Sequence, residues 1–203
     1  MSWHMTTKRL KRIVAYQAGK MLAFFFVERN PNIELFEFGS AYGKWHVEGS
    51  KELKNITLIS GGLGEDASFD LEFSAKFSSK VVFVDPTERA AIHYSKIMNQ
   101  IGSRRSTDYS IDGNQQISSY DLSNIRAEQL IFVQSALWDS KSYVSLYPPE
   151  NENYVSYSIL KPSRSFVVKQ PKIVVPTVSV KDLVLSMNIG QRFILKIDIE
   201  GAE

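Results

Sequence analysis

Gly62-x-Gly64-x-x-Ala67 lies between an apolar run and a helix-like segment, and Asp85 follows 21 positions after Gly64. That spacing fits the G-x-G-x-x-G/A fingerprint, in which glycines let a ligand approach the backbone and an acid ending the second strand accepts hydrogen bonds from a ribose diol. Nicotinamide dinucleotides and S-adenosylmethionine both carry the diol, so the pair points to an adenosine-type ligand without choosing one. Charge separates them. A dinucleotide would set its pyrophosphate at the helix N-terminus, beside Glu65 and Asp66, where each carboxylate opposes phosphate by about 1 kcal/mol. S-adenosylmethionine has no phosphate and carries a sulfonium and an ammonium, which acids at that place favour.

A second group of reactive residues is Lys196-Ile197-Asp198-Ile199-Glu200. Strand alternation places Lys196, Asp198 and Glu200 on one face. In a strand buried on both sides, three ionisable groups in line are costly unless they are paired or face the crevice at the strand's C-terminal end, where open α/β sheets bind ligands. Asp198 or Glu200 is the candidate base for an alcohol nucleophile, with Lys196 orienting one of them or binding the acceptor.

Groups so far apart in sequence need strands that end at a common edge. Residues 56–60 (ITLIS) suit a strand covered on both faces. The following helix, capped by Asp66 or Ser68, repeats Phe69, Phe73 and Phe77 at i, i+4 and i+8. Residues 81–84 (VVFV) predict a second buried strand. Thr87 caps a second helix with Ala90, Ala91, Tyr94, Ile97, Met98 and Ile101 on one stripe, and Gly102 suits its end. Such a βαβα succession predicts an α/β fold with a mostly parallel sheet. Residues 103–129 are polar around an Asp112-Gly113-Asn114 turn and read as a surface insertion. Residues 130–137 (LIFVQSAL) predict a third core strand, and 193–199 (FILKIDI) a fourth. Between them, 143–147 and 154–159 read as an antiparallel pair around Pro148-Pro149. Ser179 to Asp182 forms an approximate capping box for a short helix that ends near Gly190.

Composition narrows the partners. At 203 residues, with 43% hydrophobic and 23% charged, the chain suits one sizeable domain. We divide it into a helical extension over 1–32 and a domain over 33–203. In the extension Leu10, Ile13, Val14, Met21, Phe24 and Phe25 approximate helical spacing, with Lys8, Arg9, Lys11 and Arg12 on the other side. A formal charge of +2 does not call for a polyanion, so no nucleic-acid partner is expected. With no cysteine and with His4, His46 and His93 far apart, no metal site is expected. The apolar stretch 21–27 is about a third of the roughly 20 residues a membrane helix needs. Gln17 and Lys20 interrupt the run before it and no small-residue cleavage site follows, so a soluble, cytoplasmic chain is expected.

The segments GGLGEDASFD (61–70), VVFVDPT (81–87), QSALWD (134–139), PTVSVKDL (176–183) and ILKIDIEGAE (194–203) resemble, in order, the motifs of FkbM-type S-adenosylmethionine-dependent methyltransferases. The resemblance spans about residues 35–203, and the last motif is its most specific part. It implies a Rossmann-like class I methyltransferase sheet and methyl transfer to a hydroxyl of a sugar or natural-product acceptor. By position it implies that Gly61, Gly62 and Gly64 pass under the cofactor, that Asp85 holds its ribose and that Ser135 and Ala136 lie near the adenine. Lys196, Asp198 and Glu200 would line the methyl-transfer crevice. Many members carry an Asp-x-Gly-Ala-Asn-x-Gly loop, whereas this chain reads Ser60-Gly61-Gly62-Leu63-Gly64-Glu65-Asp66, the form of a divergent subgroup. The family's sheet also continues past the Glu-Gly-Ala-Glu motif, so the chain is expected to lack C-terminal strands and to be a piece of a longer one. Two other functions fit the same residues. An NAD-dependent oxidoreductase would use the same loop and Asp85. A non-catalytic binding module is the other, prompted by the expected absence of C-terminal strands and by the basic, aromatic N-terminal helix; separately, Tyr143, Tyr147, Tyr154 and Tyr157 could stack on sugar rings or simply pack across strands.

Overall fold

The computed structural model describes residues 34–148, 157–159 and 172–199. The expected N-terminal helix, Glu200 and residues 154–156 lie outside them. The described chain opens with a hairpin of β1 (Leu35–Phe38) and β2 (Trp45–Glu48). The apolar run then forms β3 (Thr57–Gly61), which leads through the glycine loop into α1 (Ser68–Phe77). β4 (Lys80–Val84) carries four consecutive buried residues, and Thr87 caps α2 (Glu88–Met98) by accepting the Ala90 N–H at 3.3 Å. β5 (Leu130–Val133), β6 (Ala136–Trp138), β7 (Tyr143–Leu146) and β8 (Ile173–Ser179) follow. The capping box at Ser179 and Asp182 starts α3 (Val180–Ser186), and β9 (Phe193–Ile197) completes the described elements.

The central sheet is four-stranded and parallel throughout, in the order β5-β4-β3-β9. From β3 the chain steps outward to β4 and β5, then returns to β3's other side as β9. Strand order therefore reverses at β3, where open α/β sheets leave a crevice at their C-terminal ends. Apolar layers cover both faces, as a parallel sheet requires. On one face Leu58, Val81, Phe83 and Leu130 pack with Phe69, Phe73 and Phe77 of α1 and with Ala90 and Ile97 of α2. On the other, Ile59, Val82 and Val84 pack with Leu183 of α3 and Leu137 of β6. The hairpin adds Phe38, whose ring lies 6.2 Å from Phe73 and 5.9 Å from Phe77. The i, i+4, i+8 phenylalanines therefore form the inner face of α1, and the α/β expectation holds among the described residues.

Three expectations need correction. Residues 103–129 are irregular but do not form a surface insertion. Tyr120 and Leu122 are fully buried and Ile125 nearly so, and Gln129 Nε2 donates to Ser74 Oγ and Ser79 O, both at 3.2 Å. Isolated apolar residues in a polar stretch carry no period, so their burial is set by long-range contacts. The expected third strand divides: Ser135 N–H turns back onto Val133 O at 2.8 Å, leaving β5 in the central sheet and β6 in a separate one. That second sheet has the order β6-β8-β7. β7 therefore pairs antiparallel with β8, and of the expected pairing around Pro148-Pro149 the described residues keep one bridge, Tyr147 to Ser158.

Candidate functional site

A cleft with a cavity volume of about 150 Å³ opens at the C-terminal ends of β3, β4 and β9. Its floor is the glycine loop, residues 62–66, together with 84–87 at the end of β4. The second sheet faces it through Ala136, Leu137 and Trp138 of β6 and Val144 and Leu146 of β7. Tyr42 and Gly43, in the turn of the β1–β2 hairpin, reach its rim.

Of the three glycines, Gly61 ends β3 within the sheet, accepts the Asp198 N–H at 3.0 Å and is packed by Leu137 and Ile199. Gly62 and Gly64 line the cleft and adopt φ of +84° and +54°, the left-handed region that glycine occupies without strain. Close packing adds a second demand at Gly62, where a Cβ would stand 1.9 Å from the Asp198 carbonyl oxygen. At Gly64 a Cβ would meet nothing within 4 Å, so this backbone is open to an approaching ligand.

Asp85 is 6% exposed and its carboxylate is already engaged. One oxygen accepts the N–H groups of Leu63 and Gly64, each at 3.0 Å; the other accepts Thr87 N–H at 2.9 Å and Thr87 Oγ1–H at 2.7 Å. These four bonds match the capacity of a carboxylate, so a ribose diol would reach it only in exchange for one of them. Asp66 accepts Ser40 Oγ–H at 2.6 Å, Gln115 Nε2–H at 3.3 Å and the Ser68 N–H at 2.9 Å. The Ala67 N–H at the cap of α1 donates to Tyr120 Oη at 3.1 Å. Glu65 pairs with Arg89 at 2.6 Å. The residues that could receive a phosphate at the start of α1 thus already hold protein oxygens.

The charged strand separates into different environments. Asp198 is exposed on the cleft wall. Lys196 also borders the cleft but is 7% exposed, with Nζ 3.4 Å from Gly62 O and 3.5 Å from Ser60 Oγ. Its nearest carboxylate is Asp70, at 3.8 Å and fully buried in the first turn of α1. Neither oxygen of Asp70 has a hydrogen-bond partner among the described residues. Burial pushes the Asp70 pKa up, and the Lys196 charge works against that shift. Ala136 lines the cleft, whereas Ser135 stands off its wall. Glu200 lies outside the described residues.

Several contributors carry no local sequence signal. Tyr42 reaches the cleft from a segment without a motif, Trp138 lies in the QSALWD segment but was not itself singled out, and Arg89 reaches the cleft because a capped helix begins beside Asp85. Thr87 was legible as a cap but not as a partner of Asp85. His93 is 5% exposed and lies with Nε2 2.9 Å from Tyr120 Oη. Since that hydroxyl accepts the Ala67 N–H, its proton is available to a neutral His93. Burial pushes the His93 pKa down to about 4, so the ring is uncharged at neutral pH. His46 is exposed and lies 3.0 Å from Glu37.

Among the described residues no group of three or more His, Asp or Glu could hold a metal ion, and no helix is long and apolar enough to cross a membrane. No family model, curated protein or solved structure matches this chain.

Proposed function

We propose that the cleft binds S-adenosylmethionine and that the chain is a methyltransferase acting on a hydroxyl of a small-molecule or glycan acceptor. One observation carries the choice of cofactor. The N–H groups of Leu63, Gly64, Ala67 and Ser68, which a dinucleotide's pyrophosphate would need, all donate to protein oxygens. The cleft's acids, Glu65, Asp66, Asp85 and Asp198, outnumber its basic residues, Arg89 and Lys196, and each basic residue already has a carboxylate neighbour. Such a surface opposes phosphate and favours a sulfonium and an ammonium. The ordered resemblance of the motifs supports the same reading.

When bound, S-adenosylmethionine supplies an electrophilic methyl group. The chain's own contribution is to position the acceptor, exclude water and take a proton. Asp198 is the candidate base, because its carboxylate is exposed on the cleft wall where the Lys196 ammonium is not. Asp198 would take the proton of the acceptor hydroxyl as that oxygen receives the methyl group the bound cofactor would supply. Gly64 gives the ligand access to the backbone, Gly62 lets the loop close against Asp198, and Leu137 and Trp138 offer an apolar surface to a base or ring.

The test is the shift in thermal midpoint with S-adenosylhomocysteine and, separately, with NAD. A rise with S-adenosylhomocysteine alone is expected; a rise with NAD alone would replace this reading by the oxidoreductase one. Asp198→Asn is then expected to lower turnover by about 100-fold or more while leaving cofactor affinity within a few fold, and unchanged turnover would remove Asp198 from its role.

A further inference from the structure

We propose that Lys196 and Asp85 orient a single peptide group, the Gly62–Leu63 unit of the glycine loop, by holding its two ends with opposite charges, and that Asp70 seats Lys196 for this. The carbonyl oxygen of that unit lies 3.4 Å from Lys196 Nζ. Its N–H, on Leu63, donates to Asp85 Oδ2 at 3.0 Å. A peptide group carries a dipole of about 3.5 D, so a cation at its oxygen and an anion at its N–H favour one orientation. The flipped unit would turn oxygen toward Asp85 and N–H toward Lys196, reversing both interactions. Glycine makes such a flip sterically accessible, and Gly62 at φ +84° is the residue that would permit it.

The register of the sheet brings the lysine to this place. Lys196 is paired with Ser60 in the β3–β9 ladder, and its side chain runs along the face covered by α1. There Ser60 Oγ stands 3.5 Å from Nζ, Asp70 Oδ2 3.8 Å, and the Trp45 ring centroid 6.0 Å. A fully buried carboxyl that no well-formed hydrogen bond satisfies, with Lys196 and Ser60 beside it, calls for an explanation. Serving as counter-group to a lysine that must stay under the loop supplies one. Lys196 is then a positioning residue, and its residue type is needed for the length and charge that reach the Gly62 carbonyl.

The geometry stands by itself, while its consequence for ligand binding rests on the cofactor reading above. The experiment is amide hydrogen exchange, read by NMR, in the wild type, Lys196→Met, Asp70→Asn, Asp85→Asn and the Lys196→Met/Asp85→Asn double variant. In Lys196→Met the amides of Leu63 and Gly64 are expected to exchange about tenfold faster, while Val82 and Phe83 in β4 keep their rates. Asp70→Asn, nearly isosteric, is expected to act in the same direction to a smaller extent and carries the test if Lys196→Met does not fold. Asp85→Asn is expected to add less in the Lys196→Met background than alone, because both changes release one peptide group. Wild-type rates at Leu63 and Gly64, or an acceleration shared equally by β4, would overturn the proposal. S-adenosylhomocysteine affinity of the same proteins separates the two readings. A loop response without any binding by the wild type rejects the cofactor alone, and binding without a loop response rejects the peptide-orienting role alone.

Discussion

On one wall of the cleft the N–H groups of Leu63 and Gly64, and behind it those of the buried Ala67 and Ser68, all end on side-chain oxygens, whereas the facing wall presents Ala136, Leu137, Trp138, Val144 and Leu146 from the second sheet. The first wall is specified by directional bonds, several of them to a carboxylate and therefore stronger than neutral ones. The second is specified by apolar packing, which accepts changes of shape more readily when volume is kept. The contrast teaches that the loop's conformation belongs to the protein before any ligand arrives, while the facing wall can vary with what must be accommodated.

The largest effect should come from placing a side chain where the loop meets β9. Gly62→Ala would set a Cβ 1.9 Å from the Asp198 carbonyl oxygen at a positive φ, and we expect a loss of about 4 kcal/mol or more in urea unfolding. A loss under about 1 kcal/mol would mean that the loop is as adaptable as the opposite wall.

Acid should weaken the polar wall next. Burial lowers the His93 pKa from 6.5 to about 4, so between these values the unfolded chain binds the proton and the folded one resists it. Stability from this group is therefore complete above about pH 6.5 and falls as pH drops toward 4, by up to about 3 kcal/mol. The groups facing the ring that act on its charge are Asp66 and Lys96. His93→Gln, which can still accept from Tyr120, is expected to flatten the stability profile between pH 6.5 and 4; a profile as steep as the wild type's would exclude His93 as its source.

Asp85→Asn should come third. It keeps the shape but removes the charge that holds Leu63, Gly64 and Thr87, at an expected cost of about 2 kcal/mol. The smallest change is expected across the cleft. Trp138 is half-buried at the cleft wall, and Trp138→Ala should cost about 1 kcal/mol, below the usual penalty for emptying a core site. It should also weaken S-adenosylhomocysteine binding several-fold. Stability losses in the reverse order would break the contrast between the walls.

How much was legible follows the same division. The four central strands and three helices could be read because their signals are local: consecutive β-branched and apolar residues in β4, Phe69, Phe73 and Phe77 at helical spacing, and caps at Thr87 and Ser179. The second sheet was read only in part. Its register joins β7 to β8, and Tyr143 meets Pro176 across more than thirty intervening residues, a separation at which no spacing rule operates. The burial within residues 103–129 was missed for the same reason, since Tyr120 is buried against Ala67 and His93 rather than against its sequence neighbours.

For the candidate site, sequence alone determined the residue types: a loop that only glycine could form at 62 and 64, an acid after β4, and a lysine and an aspartate two positions apart on one strand face. Alternation set the face shared by Lys196 and Asp198, because strand periodicity is a property of the backbone. Tertiary structure alone decided what each group does there. It bound Asp85 to the loop's own N–H groups, sent the Lys196 ammonium beneath Gly62 toward a buried Asp70 and left Asp198 exposed on the cleft wall. The physical reason is that a charged side chain takes its role from the nearest partner and from its access to water, and both are set by which strands and helices pack together.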